Sequence, residues 1–147
     1  MDETTLLPST ALMLKQLSGW LGRHGNRMLV QHELTVAQFH LLLALNELPE
    51  SDRTMKTIGK KFMLAQSAVV GLVQRMEKKG LITLVQRQDD RRSKTLVLTE
   101  EAIVLCHEAR ADLRLAQEEL LSCLTAPERD ELNRLLGRLC ASVRNNP

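Results

Sequence analysis

Met13, Leu17, Leu21, His24 and Met28 recur at spacings of three or four, so they share one face, and the spacing predicts a helix over 10–32. Gly19, Gly22 and Gly25 weaken that helix, either for close packing or as a flexible stretch. Thr35 and Gln38 have the spacing of a capping box, and Phe39, Leu42, Leu43 and Leu45 follow as the apolar positions of a second helix. Pro49 and Ser51 mark a loop over 48–52, a short helix is expected over 55–62, and 63–65 is a tight connection. The next helix runs over 66–79 and stops at Gly80.

After Gly80 the period changes. Residues 81–86 and 95–98 are rich in β-branched residues and leucine, with a polar stretch over 87–94 between them, which reads as a two-stranded hairpin with a charged tip. Thr99, followed by Glu100 and Glu101, opens a long helix to about residue 123. Thr125, Pro127 and Glu128 open a last helix carrying Leu132, Leu135, Leu136, Leu139 and Val143. The expected fold is mainly α with a small β-hairpin wing, a winged helix-turn-helix over 35–98 flanked by helices over 6–33 and 99–145, all in one domain over 1–147.

Composition narrows the chemistry. The chain has 147 residues, 44% hydrophobic and 26% charged, but only Trp20, Phe39 and Phe62 are aromatic. That excludes the aromatic platforms on which single-stranded nucleic acids stack. Cys106, Cys123 and Cys140 make no C-x-x-C, and with the acidic start Asp2-Glu3 they point to a reducing cytosol. No apolar run reaches the roughly 18 residues that span a bilayer, so no membrane partner is expected.

The net charge of +2 conceals a strong polarity. From Arg53 to Lys94 there are eleven basic and three acidic residues, a net charge of +8, so the remainder carries −6. The basic segment coincides with the helix–turn–helix and the hairpin, a pattern suited to duplex DNA, where phosphate neutralisation and counterion release drive binding. On the helix over 66–79, Val69, Leu72, Val73 and Met76 form the inward face, while Gln66, Ser67, Val70, Gly71, Gln74 and Lys78 form the opposite one. The second helix of such a pair enters the major groove. The wing tip reads Gln88-Asp89-Asp90-Arg91-Arg92-Ser93-Lys94, and its two acids make sense if a carboxylate fixes a nearby guanidinium.

The stretch from Leu64 to Ala102 resembles the MarR family of bacterial winged-helix regulators. Gln66-Ser67 and the run from Val73 to Ile82 carry the resemblance, with Asp90-Arg91-Arg92 at the wing and Leu98-Thr99-Glu100 opening the next helix. The resemblance implies a homodimer joined by its terminal helices, reading double-stranded palindromic operator DNA. It implies a repressor released by a small aromatic or anionic effector, or, as an alternative, by cysteine oxidation. By the same resemblance Asp90 orients Arg92, Arg75 lies near phosphate, and Gln66, Ser67 and Gln74 face the groove. Ala65, Val70, Gly71 and Leu84 depart from the family pattern, with Arg87 substituting for the arginine expected after the first strand. Arg91 and Lys94 complete the DNA-facing set.

Trp20, His24 and Phe39 are candidates for an effector pocket, against the alternative of ordinary core with His24 satisfied by a backbone group. His32 and His40 are expected at the surface, and the three cysteines are expected as small buried hydrophobes. No histidine or cysteine spacing fits a metal, no cofactor is implied, and no phosphate loop, zinc-protease or nucleophile-elbow motif points to an enzyme. A winged helix used only for protein–protein contact is the remaining rival, and the eleven-to-three charge count weighs against it.

Overall fold

A computed structural model describes residues 9–145. It contains helices α1 (Thr10–Leu29), α2 (Val36–Glu47), α3 (Met55–Phe62) and α4 (Gln66–Lys78), strands β1 (Ile82–Gln86) and β2 (Lys94–Leu98), and helices α5 (Glu100–Leu121) and α6 (Ala126–Asn145). Single 3-10 turns at Val30–His32 and Glu50–Asp52 separate α1 from α2 and α2 from α3. The first helix is therefore shorter than its apolar spacing implied. It gives way to the 3-10 turn because Glu33 adopts a left-handed conformation and donates its N–H back to the carbonyl of Val30.

Local signals fix the element starts. Thr35 and Gln38 form the complete capping box of α2, at 3.1 and 3.2 Å. Thr99 caps α5 by accepting from the Ala102 amide at 3.2 Å, while its hydroxyl donates to the Gly80 carbonyl at 2.9 Å. Gly80 itself has φ +73, which a glycine adopts without a Cβ clash and which ends α4 sharply.

Helix α2 is the pillar of the lobe. Phe39, Leu41, Leu42, Ala44 and Leu45 are all buried, and α2 packs against α1, α5 and β2. Ile58 of α3 and Val69, Val73 and Met76 of α4 join the same core, as do Ile82 and Leu96 of the hairpin. The antiparallel hairpin pairs Ile82 with Leu98 through to Gln86 with Lys94. The Leu96 amide donates to the Arg53 carbonyl at 2.8 Å, so the chain entering α3 braces the free edge of β2.

Outside the lobe the packing is thinner. Helix α1 lies against α5, and Gly25 is where they meet α2: a Cβ there would stand 2.7 Å from Val36 Cγ2 and 3.2 Å from Leu113 Cδ2. Close packing is thus the reason for Gly25. A Cβ at Gly22 would meet nothing within 4 Å. The apolar stripe of α1 is left open in the single chain, with Leu12 and Leu17 each 47% exposed, and α6 buries no residue at all. Cys106 is buried, but Cys123, in the turn after α5, and Cys140, on an α6 that buries no residue against its own chain, are exposed, contrary to the sequence expectation.

The two glycines give opposite expected outcomes in urea unfolding. Gly25→Ala should lower stability by about 1 kcal/mol or more, overpacking outweighing the gain in helix propensity. Gly22→Ala should raise it by roughly 0.5–1 kcal/mol.

Candidate nucleic-acid interface

Four buried side chains, Val69, Leu72, Val73 and Met76, seat α4 on the lobe and leave its other face outward. Gln66, Ser67, Gln74, Arg75 and Lys78 are exposed, while Val70 and Gly71 are half-buried at the edge of that face. No side chain caps α4, as Ala65 implied. A Cβ at Gly71 would meet only Arg75 Nη1, at 3.5 Å, so this position offers bare backbone surface between longer side chains. The far end of α4 is tied down: the Lys79 ammonium donates to the Glu33 carbonyl and, at 3.1 Å, to Gln38 Oε1. Gln38 therefore caps α2 and anchors α4 with the same oxygen.

The wing is held by its two acids, each in its own way. Asp90 does not bind the guanidinium of Arg92. Its Oδ1 accepts from the Arg92 backbone amide at 3.0 Å and its Oδ2 from the Ser93 hydroxyl at 2.8 Å. A short acceptor two residues before an amide closes a turn on the backbone, which the longer route to a side chain does not do. The carboxylate–guanidinium pair is Asp89 with Arg87, bidentate at 3.0 and 3.0 Å. Arg87 also donates to the Ser51 carbonyl at 2.7 Å, linking the wing to the turn before α3. The Arg87 N–H donates to the Ser93 carbonyl at 3.1 Å, and Gln86 Nε2 to the Arg91 carbonyl at 2.9 Å. Arg91, Arg92 and Lys94 remain exposed on this fixed frame.

These contacts move the carboxylates. The hydrogen bond from Arg87 holds Asp89 below the usual carboxylate range, and the same bond raises Arg87. The Arg92 amide and then the Ser93 hydroxyl hold Asp90 low. Sequence reasoning missed the Asp89–Arg87–Ser51 link. The Asp89 and Arg87 spacing was available as a signal, but a backbone carbonyl at Ser51 leaves none.

The proposed effector residues separate into two places. Trp20 and His24 stack on α1 with ring centroids 4.6 Å apart, and His24 Nε2 lies 3.0 Å from Glu119 of α5. The partner of His24 is thus a carboxylate rather than a backbone group. Phe39 is buried in the lobe core, its ring beside that of His40. His40 is exposed as expected, but His32 is half-buried, its Nε2 2.7 Å from Asp112, which also accepts from Gln31 at 2.6 Å. The hydrogen bond from His32 holds the Asp112 carboxyl low. Burial pushes the Cys106 thiol up, which opposes thiolate formation. Among the described residues no cluster of three metal-binding side chains occurs, and no single helix is long and apolar enough to cross a membrane.

A buried-face recognition helix, a helix packed behind it and a basic, internally braced hairpin define a winged helix-turn-helix, a DNA-binding module. Residues 32–93 match the MarR family model. The fold is similar to that of a MarR protein from Peptoclostridium difficile (18% identity, 99% of this chain and 94% of that one, TM-score 0.86). It is similar also to MepR of S. aureus in a complex with DNA (22%, 92% and 99%, TM-score 0.83). A third likeness is to CouR of Rhodococcus jostii bound to p-coumaroyl-CoA (22%, 90% and 91%, TM-score 0.79). The family match is confined to the winged-helix lobe, and over the rest of the chain the likeness is one of fold.

The wing should be pH-sensitive in a defined direction. Asp90 is held low in the folded wing, so its ordering effect is complete above the normal carboxylate range and lost as pH falls through the folded value. Hydrogen exchange at the Arg92 amide should therefore be slow at neutral pH after correction for intrinsic rates. It should speed up on acidification, and Asp90→Ala should bring that speed to neutral pH.

Proposed function

We propose that two copies of this chain form a dimer that reads a palindromic operator and represses transcription until a small molecule releases it. The observation that carries the reading is the exposed apolar stripe of α1 and α6 beside a lobe whose own core is complete. Leu12, Met13, Leu17 and Leu21 on α1 and Leu135, Leu139 and Val143 on α6 are open to solvent in one protomer. A second copy covers such a stripe and doubles the DNA-reading surface, with half-sites about one turn, roughly 10 bp, apart.

On each half-site α4 enters the major groove. Gln66 and Gln74 offer bidentate contacts to adenine, Val70 an apolar contact to thymine methyl, and Gly71 close backbone approach, with Ser67 beside them. Arg75 and Lys78 meet phosphate. The wing presents Arg91, Arg92 and Lys94 to the flanking backbone or minor groove, and Arg87 with Asp90 keeps them in place. MepR, solved with DNA, and CouR, solved with an acyl-CoA, support DNA binding and ligand control in this fold. An anionic aromatic effector at Trp20 and His24 would compete with Glu119 for the imidazole and loosen α1 from α5. DNA and effector then oppose each other by the same factor.

Sedimentation at micromolar concentration should give a dimer, and a monomer would sink the reading. In DNA-binding assays Arg92→Ala should weaken all duplexes alike and reduce the salt slope by about one unit. Gln74→Ala should cost about 1–3 kcal/mol on the selected operator only and relax preference at one base pair per half-site. Benzoate should quench or shift Trp20 fluorescence and lower operator affinity, and a ligand that binds without changing DNA affinity contradicts effector control at that site.

A further inference from the structure

The buried side chains Val69, Leu72, Val73 and Met76 set the line of α4's outward face. At about 100° per residue, Ser67, Gly71, Gln74 and Lys78 lie within roughly 30° of the line opposite that buried stripe. Arg75 is rooted roughly 70° from the same line, on the flank of the helix. Its guanidinium has left the flank. Long helical side chains lean back toward the N-terminus, over the residue four positions earlier, and for Arg75 that residue is Gly71. The place of a Gly71 Cβ is 3.5 Å from Arg75 Nη1, and nothing else outside the local helix backbone and the adjoining residues comes within 4 Å of it. Gly71 is half-buried although it faces away from the core, and the Arg75 side chain is the group that covers it.

That guanidinium is unspent. Among the described residues no carboxylate pairs with Arg75, whereas Arg87, Arg129 and Arg134 each hold an acidic partner. Its position across the face decides what it meets. When a helix enters the major groove, the base edges lie under the centre of its outward face and the phosphates lie to its flanks. A guanidinium drawn from the flank to the centre faces bases. Its planar fork of donors matches O6 and N7 of guanine, and no other base offers two acceptors in the major groove. The seat depends on position 71, because a long side chain there would fill the space over the backbone where the guanidinium rests.

We propose that Arg75 reads one guanine in each half-site, with Gly71 as the seat that brings its guanidinium over the groove floor. This rests on the operator reading proposed above and refines it. On the operator, guanine takes the place of the phosphate contact given to Arg75, and phosphate remains its contact on other duplexes. Gly71 thereby determines specificity without a side chain of its own.

The test selects duplexes from a random pool with the full chain, in parallel for the parent, Arg75→Lys and Gly71→Leu. The parent consensus is expected to hold one G·C pair per half-site that both variants relax. Replacing that pair by A·T should weaken the parent roughly tenfold and each variant less than about twofold, whatever its absolute affinity. Arg75→Lys keeps the charge and loses the fork, so its affinity for random duplex should equal the parent's, and the lost preference cannot be ascribed to unfolding. Gly71→Leu places a helix-favouring residue on an outward face and should melt no lower than the parent. A parent that enriches no sequence overturns the operator reading and this proposal together. A consensus that Arg75→Lys leaves unchanged overturns the proposal alone and keeps Arg75 on phosphate. A Gly71→Leu variant with the full guanine preference also overturns it, since the guanidinium then reaches the base without that seat.

Discussion

The burial of most of α2 is the constraint from which the rest of the lobe follows. A helix carrying Phe39, Leu41, Leu42, Ala44 and Leu45 gives water little beyond the narrow face of Ala37, His40 and Glu47. It must be surrounded, and α1, α5 and β2 close around it, with α3 and α4 completing the same core. The polar Gln38 is admitted to this interior because its side chain is fully used, capping α2 and receiving Lys79. The orientation of α4 is thereby set at its buried face and again at its C-terminal end. Its outward face is free of structural duty.

The wing follows a second rule, that a positive surface needs a fixed backbone before it can be selective. Its carboxylates neutralise little of the exposed charge. Asp90 spends both oxygens on the turn itself, and Asp89 fixes Arg87 against Ser51. Arg91, Arg92 and Lys94 are left unshared by these two acids, on a frame that has already lost its conformational freedom. The segment's net +8 is thus compatible with folding, because its cations project from ordered elements toward solvent.

Much of this was legible in the sequence. The capping box at Thr35 and Gln38, the bounds of α3, the stop at Gly80 and the Thr99 cap were each set by neighbours within four residues, and each was found as read. The burial of Val69, Leu72, Val73 and Met76 followed from period alone. What escaped the sequence was set by distance or by partner. His32 meets Asp112 across 80 positions, and spacing carries no trace of it. Helical period marks an apolar stripe but not whose surface covers it, so Cys123 and Cys140 were assigned to an interior that one chain does not supply. Asp90 meets Arg92 through the backbone amide and not the guanidinium, and the adjoining Ser93 hydroxyl completes a turn that the Asp-x-Arg spacing alone does not specify.

Operator reading by the proposed dimer requires a rigid lobe that presents α4 and the wing together, once per protomer. Hydroxyl-radical footprinting on a selected operator tests it most directly. It should show two protected backbone tracts bordering major grooves about one turn apart, roughly 10 bp, each flanked on its outer side by a shorter protection from the wing. A single unsymmetrical tract, or paired tracts without the flanking protection, would contradict it.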